Sequence, residues 1–73
     1  MADIEPGRSV ILVSAPLTLL AGLPEEDQQA VRSIVGRPVT YVGPNYGQAE
    51  LEFVDNDGDG HTIWVDFSLL RPV

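Results

Sequence analysis

The sequence predicts a mainly β fold, a small five-stranded barrel with one short α-helix inserted after the first strand. The clearest observation is that apolar and polar side chains alternate through residues 48–54. The apolar set is Ala49, Leu51 and Phe53, and the polar set is Gln48, Glu50 and Glu52. A period of two residues is typical of a strand with one face in a core and the other in water. A turn-forming polar run at 55–60 and β-branched and aromatic residues at 61–65 then complete a predicted β-hairpin.

Length and composition limit the classes of protein to which the chain can belong. With 73 residues, 44% of them hydrophobic, it fits a single folded domain over residues 1–73, with 1–7 as a flexible lead-in. Eleven acidic and four basic residues give a formal net charge of −7, and there is no cysteine. Because such a surface repels phosphate, we expect neither nucleic acid nor a membrane as a partner. We expect a cytoplasmic protein, since no apolar run is long enough to span a membrane.

The remaining elements are predicted from proline, glycine and charge. In order, they are a strand at 8–13, a Leu-rich loop at 14–22, a helix at 24–35, a strand at 37–42, a turn at 43–47, a helical turn at 66–70 and a last strand at 71–73. Pro16 ends the first strand because proline cannot donate to a β-ladder. Pro24 suits the start of the helix, where its missing N–H costs nothing, and Asp66 suits the cap of the helical turn. We expect the Leu-rich loop to pack over the end of the barrel, although an exposed leucine cluster would mark a contact site.

The register of the hairpin decides which face carries the single tryptophan. Placing Phe53 opposite Ile63 and Leu51 opposite Val65 sends four apolar side chains into the core and leaves Trp64 on the outer face. A slip by one residue buries Trp64 instead. We favour the first register because Ile and Val pack well on a pleated inner surface, whereas a buried indole must find a partner for its N–H.

The segment Ile63-Trp-Val-Asp-Phe-Ser-Leu-Leu70 resembles the Gly-aromatic-Ile-Pro-Ser-Asn-Tyr-Val stretch of SH3 domains. Val65 and Leu70 match its two apolar core positions, and a helical turn before the last of five strands is also similar to an SH3-like barrel. The helix after the first strand is more similar to small bacterial SH3-like proteins than to signalling SH3 domains. Asp66 and Leu69 stand where SH3 domains carry the proline and tyrosine of this stretch, so the resemblance does not imply a groove for proline-rich peptides.

The polar run Asp55-Asn-Asp-Gly-Asp-Gly60 matches the calcium-loop pattern D-x-D-x-D-G. Its predicted metal ligands are Asp55, Asp57, Asp59 and, at the twelfth place, Asp66. The usual twelfth residue is the longer Glu, and both flanks are predicted strands, so this is not an EF-hand. Because Asp-Gly steps are favoured in hairpins with or without a metal, we favour a plain acidic turn and keep Ca²⁺ as the alternative.

The predicted partner-binding residues are Trp64, Glu52 and Tyr46. An exposed indole beside a carboxylate can anchor an Arg or Lys of a partner, although the Leu-rich loop or the helix could instead cover Trp64. His61, the only histidine, is expected to be a surface residue, and no nucleophile motif or cleft with a base is found. We therefore predict a noncatalytic protein-interaction module with an unidentified, basic partner. The alternatives are a Ca²⁺-binding domain using residues 55–60 and a small accessory subunit of a larger enzyme.

Overall fold

Five strands and three short helical segments make up residues 4–73, the part of the chain that the computed structural model describes. The strands are β1 (Ser9–Leu12), β2 (Pro38–Asn45), β3 (Gln48–Val54), β4 (Gly60–Val65) and β5 (Leu70–Pro72). The helical segments are α1 (Leu17–Leu20), α2 (Glu25–Ile34) and a 3₁₀ turn (Phe67–Leu69). Neighbouring strands are antiparallel in the order β4-β3-β2-β1-β5. The mainly β class with five strands is confirmed, but β4 and β5 are the two edges of an open sheet, so the predicted closure into a barrel is not seen.

The core lies between one face of the sheet and the two helices. The strands bury Val10, Leu12, Val39, Tyr41, Ala49, Leu51, Phe53, Ile63 and Val65, and the helices bury Leu20, Ala30, Val31 and Ile34. Helix α2 begins one residue later than predicted, because Pro24 has an extended backbone and stands at the N-cap. At the other end Gly36 takes a left-handed conformation (φ 81°), and its N–H donates to the Leu12 carbonyl at 3.0 Å. This bond joins the end of α2 to β1.

The faces of the β3–β4 hairpin are as predicted, but the pairing is not. Ile63 is buried and points inward, whereas Trp64 is 45% exposed on the outer face. The predicted pairing was wrong by two residues, since Ile63 lies opposite Leu51 and not opposite Phe53. A shift of two residues preserves the faces because side chains alternate with a period of two. The loop sets this register. The Asp55 N–H donates to the Asp59 carbonyl at 2.9 Å, so the hairpin turns at an earlier position in the chain than the predicted register requires.

The turn between β2 and β3 is tighter than the predicted turn at 43–47. Strand β2 continues to Asn45 through a bulge between Tyr41 and Gly43, and only Tyr46 and Gly47 form the turn. Both have positive φ, 51° and 81°, as in the two-residue type I′ hairpin turns whose twist matches that of the strands. A residue other than glycine in this region costs roughly 1 to 2 kcal/mol. The strained turn holds the Tyr46 ring in solvent at the tip of the β2–β3 hairpin.

The segment between β1 and α2 packs over the core as predicted. Leu20 is buried and Leu19 is half-buried, while Leu17 remains 79% exposed. The 3₁₀ turn is capped by Asp66, whose Oδ1 accepts from the Ser68 N–H at 2.9 Å. None of the helices between residues 4 and 73 is long and apolar enough to cross a membrane.

The predicted flexible lead-in falls partly outside the described residues, which exclude 1–3. Within residues 4–7, Ile4 is half-buried and packs against the core. The Gly7 N–H donates to the Tyr41 carbonyl at 2.7 Å. This short segment is therefore tied to the bulged part of β2.

Candidate functional site

Trp64 is the centre of the predicted partner-binding surface. It lies on the outer face of β4, directly opposite Glu50, and its side chain is half-exposed. The indole N–H donates to Glu50 Oε1 at 3.1 Å, and the amide of Asn45 donates to the same oxygen at 2.9 Å. One carboxylate oxygen therefore fixes the indole over β3 and leaves part of its surface accessible to a partner.

Two open grooves meet at the indole. The first has a volume of about 290 Å³ and lies toward the β2–β3 turn. Its lining residues are Asn45, Tyr46, Gln48 and Trp64. The second has a volume of about 520 Å³ and lies toward α1 and the 3₁₀ turn. Leu19, Leu69 and Asp66 line this second groove, which also shares Gln48 and Trp64 with the first. The surface around the indole thus combines aromatic, aliphatic and acidic groups.

The three predicted binding residues belong to two neighbouring hairpins, with Glu52 and Trp64 on β3 and β4 and Tyr46 in the turn between β2 and β3. Glu52 lies opposite Thr62, two residues further along β3 from the β2–β3 turn than Glu50. In an antiparallel pair this makes Glu52 a diagonal neighbour of Trp64, at a typical separation of about 7 to 8 Å. The carboxylate that bonds the indole is that of Glu50, which the sequence interpretation missed because its register was two residues off. Along the direction of β3, Tyr46 and Glu52 lie on opposite sides of the Glu50–Trp64 pair.

A second cluster joins helix α2 to the β3–β4 loop through His61. The ring Nε2 lies 2.7 Å from Asp55 Oδ2, and Nδ1 lies 3.3 Å from Asp27 Oδ1. The ring also stacks on Phe53, with centroids 5.1 Å apart and planes 13° apart. Only 14% of the His61 side chain is exposed, so the expectation of a surface histidine was wrong. The cross-strand pair of His61 and Phe53 follows from the observed register, and the predicted register concealed it.

The electrostatics of this cluster favour an ion pair. The hydrogen bond from His61 lowers the pKa of Asp55 below its ordinary value, and the backbone N–H groups of Asp59 and Asp57 lower it further. The hydrogen bond to Asp55 raises the pKa of His61 above its ordinary value, although burial opposes this. The negative charges of Asp55, Asp27 and Asp59 also raise the pKa of His61.

We expect stability to be greatest in a mildly acidic range of pH. Because the pKa of His61 is raised in the folded chain, its contribution is complete below the ordinary value of 6.5 and is lost as the pH rises through the raised pKa. Because the pKa of Asp55 is lowered, its contribution is complete above the ordinary value of 3.8 and is lost as the pH falls through the lowered pKa. Urea unfolding measured between about pH 4 and pH 9 checks both limits.

The matched control for this prediction is His61→Gln, which keeps a hydrogen-bond donor but cannot titrate. As the chain has one histidine, we expect the loss of stability as the pH rises above the ordinary histidine value of 6.5 to disappear in this variant. A variant that retains the alkaline loss in full would show that another group causes it.

Two of the four predicted calcium ligands, Asp55 and Asp66, have other partners for their carboxylates in this structure. Asp55 Oδ1 accepts from the backbone N–H groups of Asp57 and Asp59 at 2.9 and 3.0 Å, and Oδ2 contacts His61. Asp66 caps the 3₁₀ turn, and its hydrogen bond from the Ser68 N–H lowers its pKa. Within residues 4–73 no group of three or more His, Cys, Asp or Glu side chains is arranged to hold a metal ion. The residues do not fit a calcium cage in this conformation, and calcium binding stays a prediction that a calorimetric titration tests.

No protein-family model, curated protein or solved structure matches this chain at a significant level.

Proposed function

We propose that this chain is a noncatalytic interaction module that binds a basic partner protein through the outer face of its β3–β4 hairpin. The observation that supports this most directly is the half-exposed indole of Trp64, held by a hydrogen bond to Glu50. Large aromatic side chains dominate binding energy at protein interfaces, and a held indole loses little conformational entropy on binding. The site residues of this proposal are Trp64, Glu50, Glu52 and Tyr46.

The charge of this face supports a basic partner. Glu50 and Glu52 lie beside the indole on β3, and strand β4 itself carries no acidic or basic residue other than His61. An arginine or lysine placed over the exposed indole surface gains a cation–π interaction of about 0.5 to 2 kcal/mol. The neighbouring carboxylates add charge-assisted hydrogen bonds, and the net charge of −7 accelerates the approach of a cationic partner.

In this proposal the chain is an open-sheet relative of the small bacterial SH3-like barrels, and it works in the cytoplasm alone or as an accessory subunit of a larger enzyme. Three features support the resemblance: the strand order, the helix between β1 and β2, and the 3₁₀ turn directly before β5. Burial of Val65 and partial burial of Leu70 agree with the two apolar positions of the octet. Binding to another protein is compatible with both roles, the independent module and the accessory subunit.

The fluorescence of Trp64, the only tryptophan, tests the proposed face directly. We expect a synthetic peptide of alternating arginine and threonine to change the emission and to protect the indole from acrylamide, and a glutamate–threonine peptide to do neither. Calorimetry should show that Trp64→Ala weakens binding of the arginine peptide about tenfold, or about 1.4 kcal/mol.

The matched control is Val54→Ala. Val54 is also an exposed apolar residue of β3, 65% accessible, but it lies next to the β3–β4 loop, away from Trp64 and the β2–β3 turn. We expect this variant to bind the arginine peptide like the unmodified chain. Equal binding by Trp64→Ala, or equal binding of the glutamate peptide, would contradict the proposed face.

A further inference from the structure

Strand β4 is an edge of the sheet, and its outer side has no hydrogen-bonded neighbour. It pairs with β3 alone, because the strand order ends at β4. Among the described residues, no backbone group of residues 60–65 hydrogen-bonds outside the β3 ladder. An unpaired row of backbone N–H and C=O groups is a template for another strand.

The alternation of the ladder identifies which residues direct their backbone to this open side. In an antiparallel pair, alternate residue pairs exchange hydrogen bonds. The bond from the Asp55 N–H to the Asp59 carbonyl places that pair in the bonded set, and Leu51–Ile63 belongs to the same set by its even spacing. The pairs between them are not bonded. Gly60, Thr62 and Trp64 therefore direct their N–H and C=O groups away from β3, and all three are exposed.

The two edges of the sheet differ in how they are protected. Edge strands of natural proteins are usually shortened, charged or interrupted by proline, which prevents unwanted pairing. Strand β5 has all three features, since it has three residues and includes Arg71 and Pro72. Strand β4 has six residues, no proline, no bulge and no Lys, Arg, Asp or Glu. The open side of β4 thus lacks the protection that the opposite edge has.

We propose that β4 accepts an extended segment of a basic partner as an antiparallel sixth strand. This inference rests on the proposed function and specifies how the partner is bound. The indole of Trp64 is held over β3 by its bond to Glu50, so it does not obstruct the open edge. In an antiparallel addition, residues bonded to Thr62 and Trp64 place their side chains on the outer face, beside the indole. An arginine there lies within reach of both the aromatic ring and the Glu50 carboxylate.

Charge favours such a partner over a second copy of the chain. Asp59 directly precedes β4 and Asp66 directly follows it, so both ends of an added strand meet a carboxylate. If β4 paired with its own copy, two chains of net charge −7 would be brought together, with Asp59 and Asp66 of each chain at the ends of the shared pair. Repulsion between two chains of like net charge disfavours this pairing. A segment with basic residues meets attraction at the same positions.

The test uses an arginine–threonine peptide of about ten residues, the upper end of common strand lengths, in three forms. One form is unmodified, one is N-methylated at every arginine and one at every threonine. When the arginines face the indole, the arginine N–H groups point at β4 and the threonine N–H groups point away. We expect methylation of the arginine N–H groups to weaken binding to the full chain about tenfold, and methylation of the threonine N–H groups to leave it within about twofold.

The outcomes of this titration show whether strand addition, the proposed function or both are overturned. If both methylated peptides bind as well as the unmodified one while Trp64→Ala still weakens binding, strand addition is overturned and the proposed function stands. Stronger weakening by threonine methylation overturns the antiparallel arrangement. If the unmodified peptide does not bind even at millimolar concentration, both proposals fail.

Two variants of Thr62 test the same edge by changing the protein instead of the peptide. The N–H of Thr62 makes no ladder bond, so Thr62→Pro removes an outward donor while the β3 pairing remains, as proline is tolerated in this position of an edge strand. We expect Thr62→Pro to lose peptide binding and Thr62→Ala to keep it. If Thr62→Pro does not fold, the methylated peptides still decide the question. A chain that sediments as a dimer, and as a monomer once Thr62 is proline, would assign the edge to a second copy and overturn the basic partner.

Discussion

Replacing Ile63 with alanine is expected to lower the free energy of unfolding by about 2 to 5 kcal/mol. Ile63 is 3% exposed and lies opposite Leu51, which is fully buried. Truncation removes buried methyl and methylene groups and leaves a cavity that the surrounding core fills only in part. A domain of this length has a total stability of roughly 4 to 10 kcal/mol, so this single change removes a large part of it.

Urea unfolding followed by circular dichroism measures this loss. The matched control is Thr62→Ala, on the same strand but pointing into solvent, for which we expect a change within about 0.5 kcal/mol. The contrast between neighbouring positions tests the alternation of faces along β4. If Ile63→Ala cost no more than Thr62→Ala, the inward placement of Ile63 would be wrong.

The faces of the hairpin could be predicted from sequence because they depend on local spacing. Each inward residue of β3 and β4 is apolar except His61, and a period of two needs no knowledge of the partner strand. The register could not be predicted in the same way, because it depends on where the loop closes. The hydrogen bond between Asp55 and Asp59 decides that closure, and the sequence pattern of an Asp-Gly-rich loop allows several lengths.

The alternation of apolar and polar residues could not predict whether the sheet closes, for a related reason. Alternation indicates which side of a strand is buried but not which two edges meet. Strand β5 has only three residues and pairs with β1, and β4 remains unpaired on its outer side. The number and order of elements followed from proline, glycine and polarity, whereas an open or closed sheet depends on curvature that no single segment encodes.

The site was predicted in part for the same physical reasons. Exposure of Trp64 followed from its position between two inward residues of β4, and this part of the interpretation agrees with the structure. The bond from the indole to Glu50 required the correct register. The contact of His61 with Asp27 required knowledge of how helix α2 lies against the loop. Residues 34 positions apart in the chain give no local signal of such a contact.

The second large effect is expected for Phe53→Ala, which should lower the free energy of unfolding by about 3 to 5 kcal/mol. Phe53 is 8% exposed, and its ring supports the imidazole of His61 by stacking at 5.1 Å. The change therefore leaves a cavity at the end of the core and also removes the surface against which His61 is held. Val54→Ala is the matched control, because the neighbouring Val54 is 65% exposed and should lose little stability.

The stack makes a further, separable contribution that a variant with a smaller cavity can reveal. Phe53→Leu keeps most of the apolar volume but removes the aromatic face, so the chain should remain folded while His61 becomes free to move between Asp27 and Asp55. We expect the pKa of His61, followed by NMR through the only imidazole in the chain, to fall toward its ordinary value of 6.5 in this variant. The alkaline loss of stability should shift to lower pH with it, because the two follow from the same proton. If the pKa stays fully raised, the carboxylates alone position His61 and the stack contributes only to packing.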